Sequence, residues 1–207
     1  DENGIVAVDA RIVVDYPKPS TDPYHHLAIH PYPAHLEKNI QLNDGTDIVI
    51  RPIRPEDADM EAKFVRELSS EAKYFRFMNS LQELSQEMLV RFTQIDYHDE
   101  MALVAVTTND ESEEQIGVAR YTTNLDKKSC EFALVVSDHW RGKGIGHYLM
   151  QNLMEIARDN DLERIEGSVL SNNFKMLELM NSMNFQISSD PDDSGIKHVI
   201  IRLHSPN

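Results

Sequence analysis

Glu131-Phe132-Ala133-Leu134-Val135-Val136-Ser137-Asp138-His139-Trp140-Arg141-Gly142-Lys143-Gly144-Ile145-Gly146 is the stretch whose reading decides the fold. An apolar strand over 129–136 runs into a glycine-rich turn. A helix expected over 146–159 follows at once, with Leu149, Leu153, Ile156 and Ala157 on one side. Glycines let the backbone approach a ligand closely and adopt positive φ. The first amides of the helix are unpaired and point outward, and with the helix dipole they form an anion site. Arg141 and Lys143 add positive charge to a chain whose formal net charge is −15. A phosphate or pyrophosphate ligand is expected. Two common phosphate loops fail on spacing. A Walker loop needs Ser or Thr after Gly142-Lys143, where Gly144 stands. A dinucleotide fingerprint starting at Gly142 needs a last glycine at position 147, which is His147.

On either side, strand and helix signals alternate. Upstream, 101–107 and 115–122 read as strands joined by a polar turn over 109–114. Earlier still, 47–53 is a short β-branched run. Arg54-Pro55-Glu56-Asp57 then opens a helix whose Met60, Phe64 and Leu68 recur every four residues. Residues 69–77 and 85–93 read as short helices. Downstream come a strand over 164–170, a helix over 172–183 and strands over 185–187 and 198–203. Hairpins interleaved with crossover helices imply an α/β (α+β) domain with a mixed sheet. Five prolines between positions 17 and 33 disfavour regular structure, so 16–36 reads as an extended linker and 37–207 as the main domain. Residues 5–14 read as a separate strand.

Of the 207 residues, 41% are hydrophobic and 27% charged, as in soluble globular proteins. No apolar run approaches the roughly 18 residues that span a bilayer. The first four residues lack a signal peptide's basic and apolar stretches. A single cysteine, Cys130, forms no internal disulfide. Together these point to the cytoplasm and to no membrane partner. The acidic balance argues against nucleic acid. It suits a basic, lysine-rich protein surface, or it simply keeps the chain soluble. His25, His26, His30 and His35 lie close together, but a zinc site wants firmer spacing and usually cysteines, so no metal is expected.

Arg141-x-x-Gly144-x-Gly146 resembles the loop with which the GNAT acetyltransferase superfamily binds the pyrophosphate of coenzyme A. The later run from Val169 through Asn172-Asn173 to Phe185 is similar to that superfamily's next motif, and the likeness extends over 41–203. Within the superfamily the chain most resembles the bacterial Pat-type protein lysine acetyltransferases, through Ile50-Arg-Pro-Ile-Arg-Pro-Glu-Asp57, Tyr74-Phe-Arg-Phe77, Met101-Ala-Leu-Val-Ala105 and Glu131-Phe-Ala-Leu-Val-Val136. The linker Leu27-Ala-Ile-His-Pro-Tyr-Pro33 is similar too. The resemblance implies a mixed, mostly antiparallel central sheet, splayed between two parallel strands and flanked by helices. It implies acetyl-CoA as cosubstrate and a lysine-bearing protein as acceptor, an acyl-CoA synthetase-type enzyme among the candidates. Residues 1–15 resemble the last strands of the acyl-CoA synthetase-like, ATP-grasp region that precedes the domain in many members. Carried over residue by residue, the cofactor contacts are Leu134, Val135 and Val136 on the strand, Arg141, Gly142, Lys143, Gly144, Ile145 and Gly146 in the loop, and Asn173. Glu131 matches the family's general base.

A carboxylate in an apolar strand is costly to bury without a purpose. A lysine amine, with a pKa near 10.4, must lose a proton before it attacks a thioester. If burial raises its pKa, Glu131 can take that proton; otherwise it is the partner of Lys128 or Arg120. Asn173 either contacts the cofactor arm or caps the following helix. The tyrosine that protonates the departing thiolate in many family members is replaced by Leu179, and the family's Gly-Phe reads Asn184-Phe185. Asp96, His98, Asp99 and Glu100 are candidates for a second base or an acceptor contact, or else form a charged turn. Cys130 alternates to the face opposite Glu131 and reads as core. A small-molecule amine acetyltransferase and a non-catalytic acetyl-CoA sensor remain as other readings.

Overall fold

The computed structural model describes residues 30–109 and 112–203. The chain divides into two compact units, residues 1–31 and 32–207. The synthetase-like remnant expected over 1–15 and most of the linker lie outside the described residues. The second unit begins at Tyr32, ahead of the boundary expected at 36/37. The Tyr32 hydroxyl lies 2.8 Å from Glu37 Oε1 and 3.2 Å from the Pro52 carbonyl, the Arg54 guanidinium sits 4.8 Å over its ring, and the Tyr97 ring meets it edge-on at 5.9 Å.

The elements run β1 (Lys38–Gln41), β2 (Asp47–Pro52), α1 (Ala58–Glu67), α2 (Ser70–Phe77), α3 (Gln86–Thr93), β3 (Glu100–Asn109), β4 (Ser112–Thr123), β5 (Ser129–Val136), α4 (Ile145–Asp159), β6 (Arg164–Leu170), α5 (Phe174–Ser182), β7 (Gln186–Ser189) and β8 (Ile196–Arg202). They form an eight-stranded mixed sheet in the order β1-β2-β3-β4-β5-β6-β8-β7, in which β5 and β6 are the parallel pair. β1 carries no signal in the sequence reading, because Lys-Asn-Ile-Gln is an exposed edge strand with one half-buried apolar residue. No helix among the described residues is long and apolar enough to cross a membrane.

Alternation along β5 splits the core. Cys130, Phe132 and Leu134 join the apolar layer that includes Leu149, Leu153, Ile156 and Ala157 of α4. Val135 joins Phe64, Val65, Leu68 and Ala72 on the side of α1 and α2. The turn into α1 is fixed by Arg51, which grips Asp57 with both terminal nitrogens at 2.7 and 2.8 Å and reaches Glu113 at 2.8 Å. A buried bidentate pair of this kind sets geometry more than it adds stability.

The feature that matters for function is where β5 and β6 part. β4 follows β5 from Cys130 to Val136, but β6 pairs only through Ser129, Glu131 and the residue between them. β6 itself continues along β8 to Leu170. Beyond Glu131 the polar backbone edge of β5 that faces β6 has no sheet partner. The Phe132 ring sits at this fork. It packs 5.7 Å from the Phe185 ring and lies so close to Gly167 that a Cβ there would be 2.8 Å from Phe132 Cε1. Gly167→Ala therefore has to move a buried aromatic ring. We expect a loss of about 1–3 kcal/mol of stability, as for an overpacked core, read in urea denaturation; an unchanged midpoint would show that Phe132 does not hold the fork.

Candidate active site

The glycine loop and the fork together make a groove. Gly142 and Gly144 carry φ of +78° and +85°, which only glycine adopts without strain. Gly144 is the N-cap of α4; no side chain caps the helix and its first turn holds no acid. Its leading amides therefore face the groove with the helix dipole behind them. The groove has a volume of about 830 Å³ and continues along Leu134, Val135 and Val136, with Asn173 and Leu179 on the opposite wall. Long and apolar-walled, and ending at uncapped amides, it fits a cosubstrate that is a flexible arm ending in phosphates.

The basic residues of the loop differ. Arg141 lines the groove, with Nη1 3.0 Å from Asp138 and 3.9 Å from Glu71. Lys143 does not line it. Its Nζ is 2.7 Å from Asp44 in the β1–β2 turn and 4.6 Å over the Trp140 ring. The Lys143 hydrogen bond holds the Asp44 carboxyl well below the usual carboxylate range. Lys143, expected as a cofactor contact, forms in this structure an ion pair that steadies the loop from outside. Gly146 is tight, since a Cβ there would meet Leu179 Cδ2 at 3.3 Å. Leu179, standing where a tyrosine acid would be, is packing for α4. Among the described residues no tyrosine lines this groove or the cavity beside it.

That second cavity, of about 340 Å³, lies on the α2–α3 side and shares Phe75, Arg76, Leu134, Asn173 and Met176 with the groove. Glu131 lines it and is exposed. The expectation of a buried carboxylate is corrected here: at the last paired position before the fork the side chain turns to solvent. Neither alternative partner takes it, because Arg120 lies 3.6 Å from Glu61 and Lys128 2.9 Å from Glu163. Of the four candidates, Asp96, His98 and Asp99 before β3 and Glu100 at its start, only Glu100 lines the cavity. Asp96 accepts the amides of His98, Asp99 and Glu100 in a turn, and Asp99 is paired with Lys127 at 2.7 Å. Asn173 caps α5 by accepting the Met176 amide at 3.3 Å while its side also lines both spaces. Cys130 is fully buried, and burial pushes its thiol up to about 12, so it stays protonated in the core. Among the described residues no cluster of His, Cys, Asp and Glu could hold a metal; His25 and His26 lie outside them.

Sequence reasoning missed the arginines of the second cavity. Arg76 appeared only within a family segment and Arg120 only as a partner for Glu131. The available signal was register: Arg120 is two residues from Thr122, the strand neighbour of Glu131, and so shares its face.

The chain matches the acetyltransferase (GNAT) family over residues 63–185 and belongs to that family. It is an N-acetyltransferase, and acetyl-CoA is its acyl donor. It is 34% identical over 162 residues to an acetyltransferase of Pseudomonas aeruginosa, covering 78% of this chain and 86% of that protein. The acetyltransferase Pat of Mycolicibacterium smegmatis is 29% identical over 145 residues, which are 70% of this chain and 43% of Pat. Among solved structures, the GNAT domain of S. lividans PAT superposes with a TM-score of 0.76 at 28% identity, covering 83% of this chain and 99% of that one. The fold is also shared with yncA of Salmonella typhimurium, a putative acetyltransferase solved with acetyl-CoA, at a TM-score of 0.62 and 16% identity over 77% of this chain and 95% of that one.

The two loop substitutions should separate. Gly144→Val places a β-branched residue at φ +85° and should weaken acetyl-CoA binding about tenfold or more through loss of aligned amide hydrogen bonds. Lys143→Ala should change it less than about threefold, since it removes a surface pair with Asp44 and a contact over the Trp140 ring, and Lys143 itself does not line the groove. Titration calorimetry on folded variants checks both; the reverse ranking would place Lys143 on the phosphates.

Proposed function

We propose that this enzyme acetylates a lysine side chain on another protein, with Glu131 as general base. The observation that carries the reading is the position of Glu131. It stands exposed and, among the described residues, without an ion-pair partner on the wall of a cavity that opens into the cosubstrate groove. A base at an open wall suits an amine delivered on a long side chain from a second macromolecule. The resemblance to Pat-type enzymes supports the same acceptor.

The chemistry follows from the two spaces. Acetyl-CoA lies in the groove with its pyrophosphate on the amides after Gly144 and its arm along 134–136. The thioester then reaches the junction at Leu134. An incoming lysine is largely protonated at neutral pH. Glu131 accepts a proton, directly or through water, and the freed lone pair attacks the thioester carbonyl. An amide of β5 near Val135 or Val136, left unpaired by the fork, stabilises the oxyanion. The C–N bond forms, the C–S bond breaks, and coenzyme A departs as thiolate. With Leu179 in place of a tyrosine, the thiolate takes its proton from water.

Glu131→Gln keeps the side chain's size but cannot accept a proton. General-base catalysis contributes about a hundred- to ten-thousand-fold. The variant should bind acetyl-CoA like the parent and transfer acetyl that much more slowly to a lysine peptide at neutral pH, the deficit shrinking as pH rises toward the amine's own pKa. Stopped assays across pH, with mass spectrometry locating the modified lysine, check this. Near-parental turnover at neutral pH would move the role to Glu100 or to solvent.

A further inference from the structure

Three arginines converge on the acceptor cavity: Arg76 from α2, Arg91 from α3 and Arg120 from β4. On a chain of net charge −15, gathering cations here needs a reason. The sheet arranges the cavity floor in rows. Glu100, Thr122 and Glu131 are neighbours across β3, β4 and β5, and two residues along, on the same face, come Ala102, Arg120 and Ala133. At a rise of about 3.3 Å per residue the rows are about 7 Å apart. One row carries two carboxylates and the next a guanidinium. The cavity therefore has an acidic side and a basic side.

Arg120 is committed to the protein. Its Nη2 is 3.6 Å from Glu61 and 3.4 Å from the Phe92 carbonyl, and its Cζ lies 4.4 Å over the Phe92 ring. Arg76 is held differently: among the described residues its side-chain contacts are with rings. Its Cζ is 4.9 Å over Phe77 and 6.0 Å from Phe92, and among the described residues no carboxylate forms an ion pair with it. Burial first, then repulsion from Arg120, push the Arg76 guanidinium down to about 10, with Glu61 opposing. It is still charged at neutral pH, and an anion in the cavity would relieve both effects.

We propose that the acceptor carries a carboxylate close to the amine that is acetylated, and that Arg76 binds this carboxylate while the amine faces Glu131. The inference rests on the cavity beside Glu131 being the acceptor site. A half-buried guanidinium beside rings offers two parallel donors that match a carboxylate. On a protein acceptor the carboxylate belongs to an acidic residue beside the lysine; on a free amine it belongs to the same molecule.

Two matched pairs of acceptors test this: a lysine peptide with Glu or with Gln beside the lysine, and ε-aminocaproate or its carboxamide. In each pair that reacts, the parent should prefer the carboxylate-bearing member by about tenfold or more in kcat/KM, the scale of a desolvated charged hydrogen bond. Arg76→Gln should bring that ratio toward one, and Arg76→Lys should keep part of it, both checked for folding by thermal melting. Transfer to the small pair alone, with the preference intact, supports the carboxylate site and removes the protein acceptor. Several results overturn the proposal. They are no preference in the parent, an Arg76→Gln loss equal for both members of a pair, and weakened acetyl-CoA binding, which would assign Arg76 to the donor. Transfer to none of the four overturns it together with the reading it rests on.

Discussion

β5 cannot pair with β6 beyond Glu131, and the rest of the site depends on that break. With the Phe132 ring seated on Gly167, the two parallel strands diverge. A sheet that zipped further would satisfy the backbone of β5 but leave no groove. The open fork keeps backbone donors and acceptors available beside Leu134 to Val136, and a polar backbone edge in an apolar cleft is worth keeping only if a ligand completes it. The glycine loop then places uncapped helix amides at one end of the cleft, and Glu131, the last paired residue, marks the other.

Electrostatics divides the two ends. At the glycine-loop end the groove is lined by the first residues of α4 and by Arg141, while Lys143 pairs with Asp44. The cavity beside Glu131 holds the concentrated side-chain charge: Glu100 and Glu131 on one row, Arg120 on the next, Arg76 and Arg91 from the helices, and Glu61 buried behind, accepting from Gln115. The more enclosed of these charges, Glu61 and Arg120, orient what they bind most strongly, because away from water a mismatched partner costs more than a matched one contributes.

How much of this the sequence reveals depends on the range of the interactions. Strand–loop–helix order, the amphipathic face of α4 and the loop glycines are local, and 129–136 and 164–170 coincide with β5 and β6. The edge strand β1 has no apolar period to read. Glu131 is placed in its strand by sequence, but its exposure is not. An apolar run suggests burial on both faces, whereas the side chain here lies where β5 leaves its partner and the helices of the acceptor side stand back. The pairing of Lys143 is likewise invisible locally, because the β1–β2 turn, some hundred residues away in the chain, brings Asp44 to it. Arg76 and Arg120 meet only through the packing of α2 on the sheet, which neither local sequence discloses.

Amide hydrogen exchange with and without acetyl-CoA tests the central claim most directly. If the fork is the cosubstrate cleft, added acetyl-CoA should slow exchange at the β5 amides of 133–136 and at the loop and first turn of α4 over 142–147, with little change in the β6–β8 ladder, which is already paired. Protection that spares β5, or that is confined to other faces of the sheet, would contradict the account.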